Sequence, residues 1–319
     1  MPTTTFNRLA LAAAAAAFTL AALPAQATPY SKFYSFGDSL SDNGNVFALT
    51  GQPPVPYFNG RWSNGLVAVE YIANSFGLAL DNYAYGGATT GLLNVSAGIN
   101  GIKNTGVLAQ VTEFATKYGG VADSNGLYWV AAGGNDFLSA PPGADLNAVA
   151  ATAVGNLTNS VMALYAMGAR NFVLPTMANL GATVQAFKIN QIQPGFAAGS
   201  TALSLGFNAA LLGAYAQVAT ALPSEKLFLI DTILWQTSAM SQVVLNGGTA
   251  TQSCVDNAAF PACTGYFYFD DIHPTTATHR SYANFVSVQV PEPASWGLAA
   301  VALLGVGLAG RRRKAAAQG

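Results

Sequence analysis

Charged side chains are scarce in this chain of 319 residues, because Asp, Glu, Lys and Arg together make up only 8% of it. An ordinary soluble domain carries about 25%. Nucleic-acid binding needs clustered Lys and Arg, so the scarcity argues against that class of partner. A disordered chain would be polar and strongly charged, whereas 51% of this chain is hydrophobic. The composition favours a folded chain, long enough for one large domain or two small ones.

Part of the hydrophobicity lies at the amino-terminal end. Residues 1–27 carry one Arg, then an Ala-rich apolar run, and finish on Ala25-Gln26-Ala27. A basic start, an apolar middle and an A-x-A finish are typical of a secretory signal peptide. We therefore expect export and cleavage after Ala27. The alternative is a buried Ala-rich helix, which Pro24 disfavours because it breaks the run.

The carboxyl-terminal end has three parts: Pro-Glu-Pro at 291–293, an apolar run of seventeen residues at 294–310, and a basic cluster at 311–314. The run is at the lower limit for a membrane-spanning helix, and the basic cluster after it predicts that this end stays cytoplasmic. The whole tail, 291–314, resembles the PEP-CTERM sorting signals of Gram-negative bacteria. The resemblance implies transient membrane association through the tail, processing by an exosortase-type partner, and a cell-surface or extracellular location. A permanent single-pass anchor is the alternative.

Loss of both ends would leave a single domain at 28–290. It carries eight Lys or Arg and thirteen Asp or Glu, which gives a net charge near −5 and is consistent with solubility. Two cysteines, Cys254 and Cys263, stand with eight residues between them. One close pair in an exported chain favours a disulfide that closes a loop, with two free thiols as the alternative. Neither belongs to a Cys-x-x-Cys or a His cluster, so we expect no metal or catalytic role.

Short β-type runs alternate with longer helical ones within this domain. The predicted strands are 32–36, 78–86, 127–136, 170–176 and 225–231, and the predicted helices are 65–77, 144–169, 200–222 and 275–286. This alternation predicts an α/β fold with a parallel sheet covered on both faces. Ligands bind such sheets beyond the carboxyl ends of the strands. The Gly-containing turns at 37–45, 86–91 and 133–136 follow predicted strands, so we expect them to meet in one crevice.

Four short stretches stand in the polar turns of this pattern: FGDSLSDNGN at 36–45, NYAYGGAT at 82–89, GGND at 133–136 and DDIHPT at 270–275. Together and in this order they resemble the GDSL branch of the SGNH hydrolases. The resemblance implies a three-layer α/β/α, flavodoxin-like fold with a central five-stranded parallel sheet. It also implies hydrolysis of esters with neither cofactor nor metal.

The resemblance assigns roles residue by residue. The nucleophile falls on Ser39, whose backbone N–H would also donate to the oxyanion. Gly87, with Gly86 as the alternative, and Asn135 would supply the other two oxyanion donors. The Asp-x-x-His spacing selects Asp270 and His273, because Asp271 stands only two residues before the histidine.

The chemistry of the residues agrees with these roles. A serine hydroxyl is a poor nucleophile unless a base takes its proton, and imidazole is the usual base near neutral pH. The chain has two histidines. His273 precedes Pro274, which favours an extended backbone suited to a loop, and Asp270 could orient its ring. His279 falls in the last predicted helix, where we expect a surface or helix-face residue.

Each motif residue also has a purely structural interpretation. Ser39 could be a helix N-cap, the Gly pair a tight turn, and the Asn135-Asp136 pair a turn and a cap. Asp38 and Asp42 are expected to bond turn and cap backbone rather than a metal. The broader G-x-S-x-G pattern is not present around Ser39, which argues against the α/β-hydrolase fold.

The sequence leaves the substrate open between a lipid ester and an acetylated matrix polysaccharide. A non-catalytic surface or matrix protein that retains the fold is a further alternative. Five aromatic residues close to the motifs could line an acyl or sugar pocket or could belong to the core. They are Tyr57, Phe58, Trp62, Tyr83 and Tyr85.

Overall fold

A parallel sheet of five strands lies at the centre of the computed structural model, which describes residues 30–96, 102–222 and 226–290. Residues Ser31–Val290 form one unit. The five strands are β1 (Phe33–Gly37), β2 (Leu80–Asn82), β3 (Leu127–Ala131), β4 (Asn171–Pro175) and β5 (Lys226–Ile230). Their order across the sheet is β2-β1-β3-β4-β5, and every pairing is parallel. The predicted α/β fold with a central five-stranded parallel sheet is confirmed.

Helices cover both faces of the sheet. They are α1 (Asn45–Thr50), α2 (Ala68–Ser75), α3 (Val107–Lys117), α4 (Gly134–Leu138), α5 (Leu146–Met167), α6 (Val184–Ile192), α7 (Phe196–Ala221), α8 (Thr232–Leu245) and α9 (Thr276–Ser287). Buried residues of α3, α5 and α7 form the main core with alternate residues of β1, β3 and β4, among them Phe36, Tyr128 and Phe172. On the other face α9 packs against α2, and Tyr282 of α9 contacts Trp129 of β3 edge-on with 6.2 Å between the ring centroids. This gives the expected three layers.

The ends of the elements follow local signals. The Asp145 side chain caps α5, accepting from the Asn147 N–H at 2.9 Å, and α5 ends one residue before Gly168, as the sequence predicts. The second and third strands are shorter than predicted, because the Gly turns begin soon after Asn82 and Ala131. Helix α7 starts at Phe196, earlier than predicted.

Helix α7 is the one helix within the described ranges that is long and apolar enough to cross a membrane. Phe207, Leu211 and Tyr215 of this helix are buried in the main core, which accounts for its hydropathy. The predicted signal peptide at 1–27, the apolar run at 294–310 and the rest of the tail lie outside the described residues.

A disulfide joins Cys254 to Cys263, with 5.3 Å between the Cα atoms, as predicted. The loop that it closes follows β6 (Thr249–Ser253), which pairs in parallel with β7 (Tyr266–Tyr268). The Val255 N–H donates to the carbonyl of Phe269 at 2.9 Å. The stapled loop therefore supports the segment directly after β7, where the Asp-x-x-His motif lies.

Candidate active site

Ser39 stands in a tight turn at the carboxyl end of β1. The turn is closed by the carbonyl of Asp38, which accepts from the N–H groups of Ser41 at 3.0 Å and Asp42 at 2.9 Å. A side chain at Gly37 would put its Cβ 2.7 Å from the carbonyl oxygen of Ala131, so β1 and β3 can approach this closely only with glycine there. The N-cap of α1 is Gly44, and the Ser39 hydroxyl is therefore not a cap of that helix.

The Ser39 hydroxyl lies beside an imidazole from the far end of the domain. Ser39 Oγ is 2.9 Å from His273 Nε2, and His273 Nδ1 is 2.7 Å from Asp270 Oδ2. These are hydrogen-bonding distances. The structure thus brings together the three residues that the sequence selects as nucleophile, base and orienting carboxylate.

Both oxygens of Asp270 accept several hydrogen bonds. Oδ1 accepts from the backbone N–H groups of Ile272 at 2.8 Å and His273 at 2.7 Å. Oδ2 accepts from the Tyr57 hydroxyl at 2.8 Å as well as facing His273 Nδ1. Burial alone would raise the pKa of Asp270, but the charge and hydrogen bonds of His273 outweigh it and hold that pKa well below its ordinary value. The carboxylate is therefore ionised whenever the imidazole is charged.

Two aromatic side chains pack around the Asp270–His273 pair, and the sequence does not predict their position. Trp62 lies against the His273 ring, with 5.3 Å between centroids and 33° between planes. Tyr57 packs edge-on against Trp62 at 5.7 Å and against Phe269 at 5.1 Å. Tyr57 and Trp62 precede the motif by about 210 residues, so no spacing signal could have linked them to it.

Charge around the imidazole sets its proton affinity. Burial lowers the pKa of His273, but the nearby Asp270 carboxylate, its hydrogen bond and the Asp38 charge raise it, and the net shift is upward. Burial raises the pKa of Asp38 itself to about 6. His273 can therefore hold a proton more strongly than a free imidazole, as a base that takes a serine proton must.

Two of the three predicted oxyanion residues, Gly87 and Asn135, lie on segments that are tied together. Gly87 has φ of +79°, a conformation that favours glycine, in the turn after β2. The Asn135 side-chain amide, in the first turn of α4, donates to the carbonyl of Ala88 at 2.9 Å. The N–H of Gly86 donates to Asp42 Oδ2 at 2.8 Å, whereas within the described ranges no acceptor takes the N–H of Ser39 or Gly87. Of the two glycines, Gly87 is thus the one with an N–H free for a ligand.

Asp42 and Asp136 have the structural roles expected of carboxylates in turns. Asp42 Oδ1 also accepts from the N–H groups of Gly44 at 2.8 Å and Asn45 at 2.6 Å, which fixes the start of α1. Asp136 accepts from the Thr90 hydroxyl at 2.7 Å and its N–H at 3.0 Å. Over the part of the chain that the structure describes, no group of three or more His, Cys, Asp or Glu side chains could hold a metal ion.

His279 is on the buried face of α9, with only 3% of its surface exposed. The expectation of a surface residue is therefore wrong, and the helix-face alternative is correct. Burial, with a further contribution from the His273 charge, lowers the pKa of His279 to about 3. The ring is neutral at physiological pH.

A cavity opens beside Ser39 at the carboxyl ends of β1, β3 and β4. Its volume is about 1050 Å³ including its solvent-open mouth. Ser39 and Asn135 line the cavity, and most of the rest of its wall is apolar. Its apolar lining residues include Leu40, Leu138, Met177, Leu180 and Ile272.

Comparison with known proteins gives two matches to family models. The model of the GDSL-like Lipase/Acylhydrolase family matches residues 33–286, and that of the PEP-CTERM protein-sorting motif matches residues 289–314. The sorting motif indicates export to the cell surface or the exterior of a Gram-negative bacterium.

Relatives of the chain include the thermolabile hemolysin of Vibrio parahaemolyticus. It is 31% identical over 280 residues, covering 79% of this chain and 62% of the hemolysin. The phosphatidylcholine-sterol acyltransferase of Aeromonas hydrophila is 36% identical over 115 residues, covering 34% of each protein. The chain therefore spans less than two thirds of the length of these curated relatives. Among solved structures, a family two carbohydrate esterase from Cellvibrio japonicus has 18% sequence identity and a TM-score of 0.43, covering 86% of this chain and 64% of that one.

Proposed function

Since the chain belongs to the GDSL-like lipase/acylhydrolase family, we propose that it hydrolyses carboxylic esters with Ser39 as the nucleophile. The observation that carries the proposal is the continuous line of hydrogen bonds from Ser39 Oγ through His273 to Asp270, at 2.9 and 2.7 Å. A protein that used the fold only for binding would have no need to hold a hydroxyl, an imidazole and a carboxylate in this geometry.

In the first half of the proposed reaction, Ser39 Oγ attacks the carbonyl carbon of the ester. His273 Nε2 takes the hydroxyl proton as the new C–O bond forms. The negative oxygen of the tetrahedral intermediate accepts from the N–H groups of Ser39 and Gly87 and from the Asn135 amide. His273 then gives its proton to the leaving alcohol, and the acyl group remains on Ser39.

In the second half, a water molecule attacks the acyl-enzyme. His273 takes a proton from the water and returns it to Ser39 Oγ as the carboxylic acid leaves. Asp270 stays ionised throughout and stabilises the imidazolium, because its pKa is held low. The proposed reaction needs neither cofactor nor metal. Its catalytic residues are Ser39, Asp270 and His273, and its oxyanion hole is formed by Ser39, Gly87 and Asn135.

The apolar cavity beside Ser39 favours an ester with an acyl chain longer than acetyl. Most of its wall is hydrocarbon or aromatic, and burying a methylene group in such a wall stabilises binding by about 0.8 kcal/mol. We therefore propose a lipid-type ester as substrate. An acetylated polysaccharide would leave this cavity largely empty and is the alternative that the experiment must distinguish.

We further propose that the mature protein is residues 28–290, after removal of a signal peptide at 1–27 and exosortase-type cleavage near 291–293. The sorting-motif match at 289–314 supports the second cut. Until that cut, the tail would associate with the membrane.

Hydrolysis of p-nitrophenyl acetate, butyrate and octanoate by residues 28–290 tests the activity. We expect octanoate or butyrate to be favoured over acetate in kcat/KM, and Ser39→Ala to lower kcat at least about 10³-fold. Asn135→Ala should lower kcat by about 10²–10³ if its amide binds the oxyanion. Equal rates for the wild type and Ser39→Ala would overturn the proposed function, and a preference for acetate would favour the polysaccharide alternative.

A further inference from the structure

The inner end of the cavity beside Ser39 contains two buried polar atoms without partners. Trp129 and His279 both line the cavity, and each has 3% of its surface exposed. Within the described ranges, neither Trp129 Nε1 nor His279 Nε2 has a hydrogen-bond partner. Of the five buried side-chain polar atoms without a partner in the described residues, these two are the ones on side chains that line this cavity. Buried polar atoms are nearly always hydrogen-bonded in native proteins, so a polar group that enters the cavity can pair with them.

Strand register places these atoms below the proposed nucleophile. Trp129 pairs with Ser35, two residues before the Gly37–Ala131 pair at the carboxyl ends of β1 and β3. Two residues of parallel strand span about 7 Å. Trp129 is therefore about that far below the edge of the sheet at which Ser39 stands.

The packing of α9 brings His279 to the same level. His279 and Tyr282 are three residues apart and so share one face of the helix. Tyr282 contacts Trp129 at 6.2 Å between ring centroids and also lines the cavity. Its own hydroxyl is already paired, 2.7 Å from Thr232 Oγ1. Ser35 Oγ, opposite Trp129 in the register, is also unpaired, but Ser35 does not line the cavity. The unpaired polar atoms on the lining side chains are thus those of Trp129 and His279.

The two side chains offer a defined hydrogen-bonding pattern. An indole N–H can only donate, whereas a neutral imidazole donates at one nitrogen and accepts at the other. A purely hydrocarbon chain would leave both groups unpaired. A hydroxyl oxygen can accept from Trp129 and donate to, or accept from, His279. A charged carboxylate is disfavoured, because His279 is neutral and no cationic side chain lines the described cavity wall.

We propose that this cavity binds the acyl part of the ester and that Trp129 and His279 bind a hydroxyl group on that acyl chain. The inferred substrate class is a hydroxyacyl ester with its hydroxyl near the end of a chain of about six carbons. The C–C bonds of about 1.5 Å in an extended chain advance about 1.3 Å each, so five of them span roughly the ~7 Å between the sheet edge and Trp129. This inference rests on the proposed function and leaves the chemistry unchanged. Water still cleaves the ester bond, and the hydroxyl only selects the substrate.

The test compares p-nitrophenyl hexanoate with its terminally hydroxylated counterpart. For the wild type we expect kcat/KM at least about 10-fold higher for the hydroxylated ester, because a site built to bond a hydroxyl discriminates strongly against an analogue that lacks it. Trp129→Phe, which removes only the donor, and His279→Leu should each lower the ratio of the two kcat/KM values by about 10-fold. Tyr215→Phe is the matched control and should leave the ratio unchanged, because the Tyr215 hydroxyl is also buried and unpaired but does not line the cavity.

The ratio of the two kcat/KM values can be measured on the wild type alone, so this part of the test does not depend on whether the variants fold. Thermal denaturation of each variant shows whether it is folded. A wild-type ratio of one or less would overturn the inference, as would an unchanged ratio in a folded Trp129→Phe variant. In either case, hydrolysis that still depends on Ser39 would leave the proposed function intact. Hydrolysis that persists in Ser39→Ala would refute the proposed function instead.

Discussion

At the scale of single residues, the charge of Asp270 determines how strongly His273 holds a proton. The carboxylate is 2.7 Å from His273 Nδ1, and its attraction outweighs the effect of burial on the ring. Because the base must be neutral to take the Ser39 proton, the pKa of His273 sets the lower pH limit of activity.

We expect kcat/KM to rise with pH, with a midpoint above about 6.5, the usual value for histidine. The sign follows from the raised pKa of His273, since the ring stays protonated and inactive to a higher pH. Asp270→Asn should move the midpoint to lower pH and lower kcat by about 10³–10⁴-fold. A pH–rate profile of both proteins measures this, and an unchanged midpoint in Asp270→Asn would contradict the assignment of the orienting carboxylate.

Tyr57 is a positioning residue, because its hydroxyl donates to the same Asp270 oxygen that faces the imidazole. Hydrogen bonds to charged groups contribute about 1.5–3 kcal/mol. We therefore expect Tyr57→Phe to lower kcat about 10-fold while KM for p-nitrophenyl butyrate stays unchanged. Tyr83→Phe is the control, because the Tyr83 hydroxyl donates to Asp81, on β2. Equal kcat values for the two variants would show that the Tyr57 hydrogen bond does not act on the triad.

At the scale of elements, the loop closed by the disulfide supports the Asp-x-x-His segment. The N–H of Val255, in this loop, donates to the carbonyl of Phe269 at 2.9 Å, directly after β7. Lys188 of α6 bonds both Asp256 in the same loop, at 2.6 Å, and Asp271 beside the triad, at 2.7 Å. These contacts therefore hold the loop against the segment that carries Asp270 and His273.

Cys254→Ser/Cys263→Ser should lower the free energy of unfolding by about 2–3 kcal/mol, because the unfolded chain regains the freedom of a loop of about ten residues. Urea denaturation of the oxidised wild type and the double variant measures the difference. Wild type treated with a reductant is the control and should match the variant. An identical denaturation midpoint for all three samples would contradict a stabilising role for the disulfide.

The elements that sequence predicts best are those with local signals. The five strands are short apolar runs bounded by turn residues, and α5 has Asp145 before it and Gly168 after it. No helix is predicted at α3, α6 or α8, although α3 has buried residues at helical spacing, Val107, Val111 and Phe114. Helices α6 and α8 bury few residues on any one face, so their patterns carry little periodic signal.

At the scale of the whole molecule, the site joins segments separated by up to 234 residues. Parallel topology makes this predictable, because turns at the carboxyl ends of adjacent strands must meet. The placement of Tyr57, Trp62 and His279 was not predictable, since it depends on how loops and α9 pack against the sheet. The residues at the inner end of the cavity come from separate elements that pack together only in the fold, so they could not be predicted from the sequence.

Export and processing act on the whole chain. We expect the intact mass of the protein recovered from the cell surface or medium to correspond to a chain that starts at Thr28 and ends near 291–293. Disruption of the Pro-Glu-Pro at 291–293 should leave the longer, membrane-associated form. Recovery of the full tail on the wild-type protein would show a permanent anchor instead.

Labelling with a fluorophosphonate, which reacts with a serine whose proton is taken by a neighbouring base, tests directly whether His273 activates Ser39. We predict one adduct, on the peptide that contains Ser39. The adduct should be absent from Ser39→Ala and should form at least about 10²-fold more slowly in His273→Ala, which lacks the base. An adduct on a different residue, or one that forms equally fast without the imidazole, would contradict the claim that His273 activates Ser39.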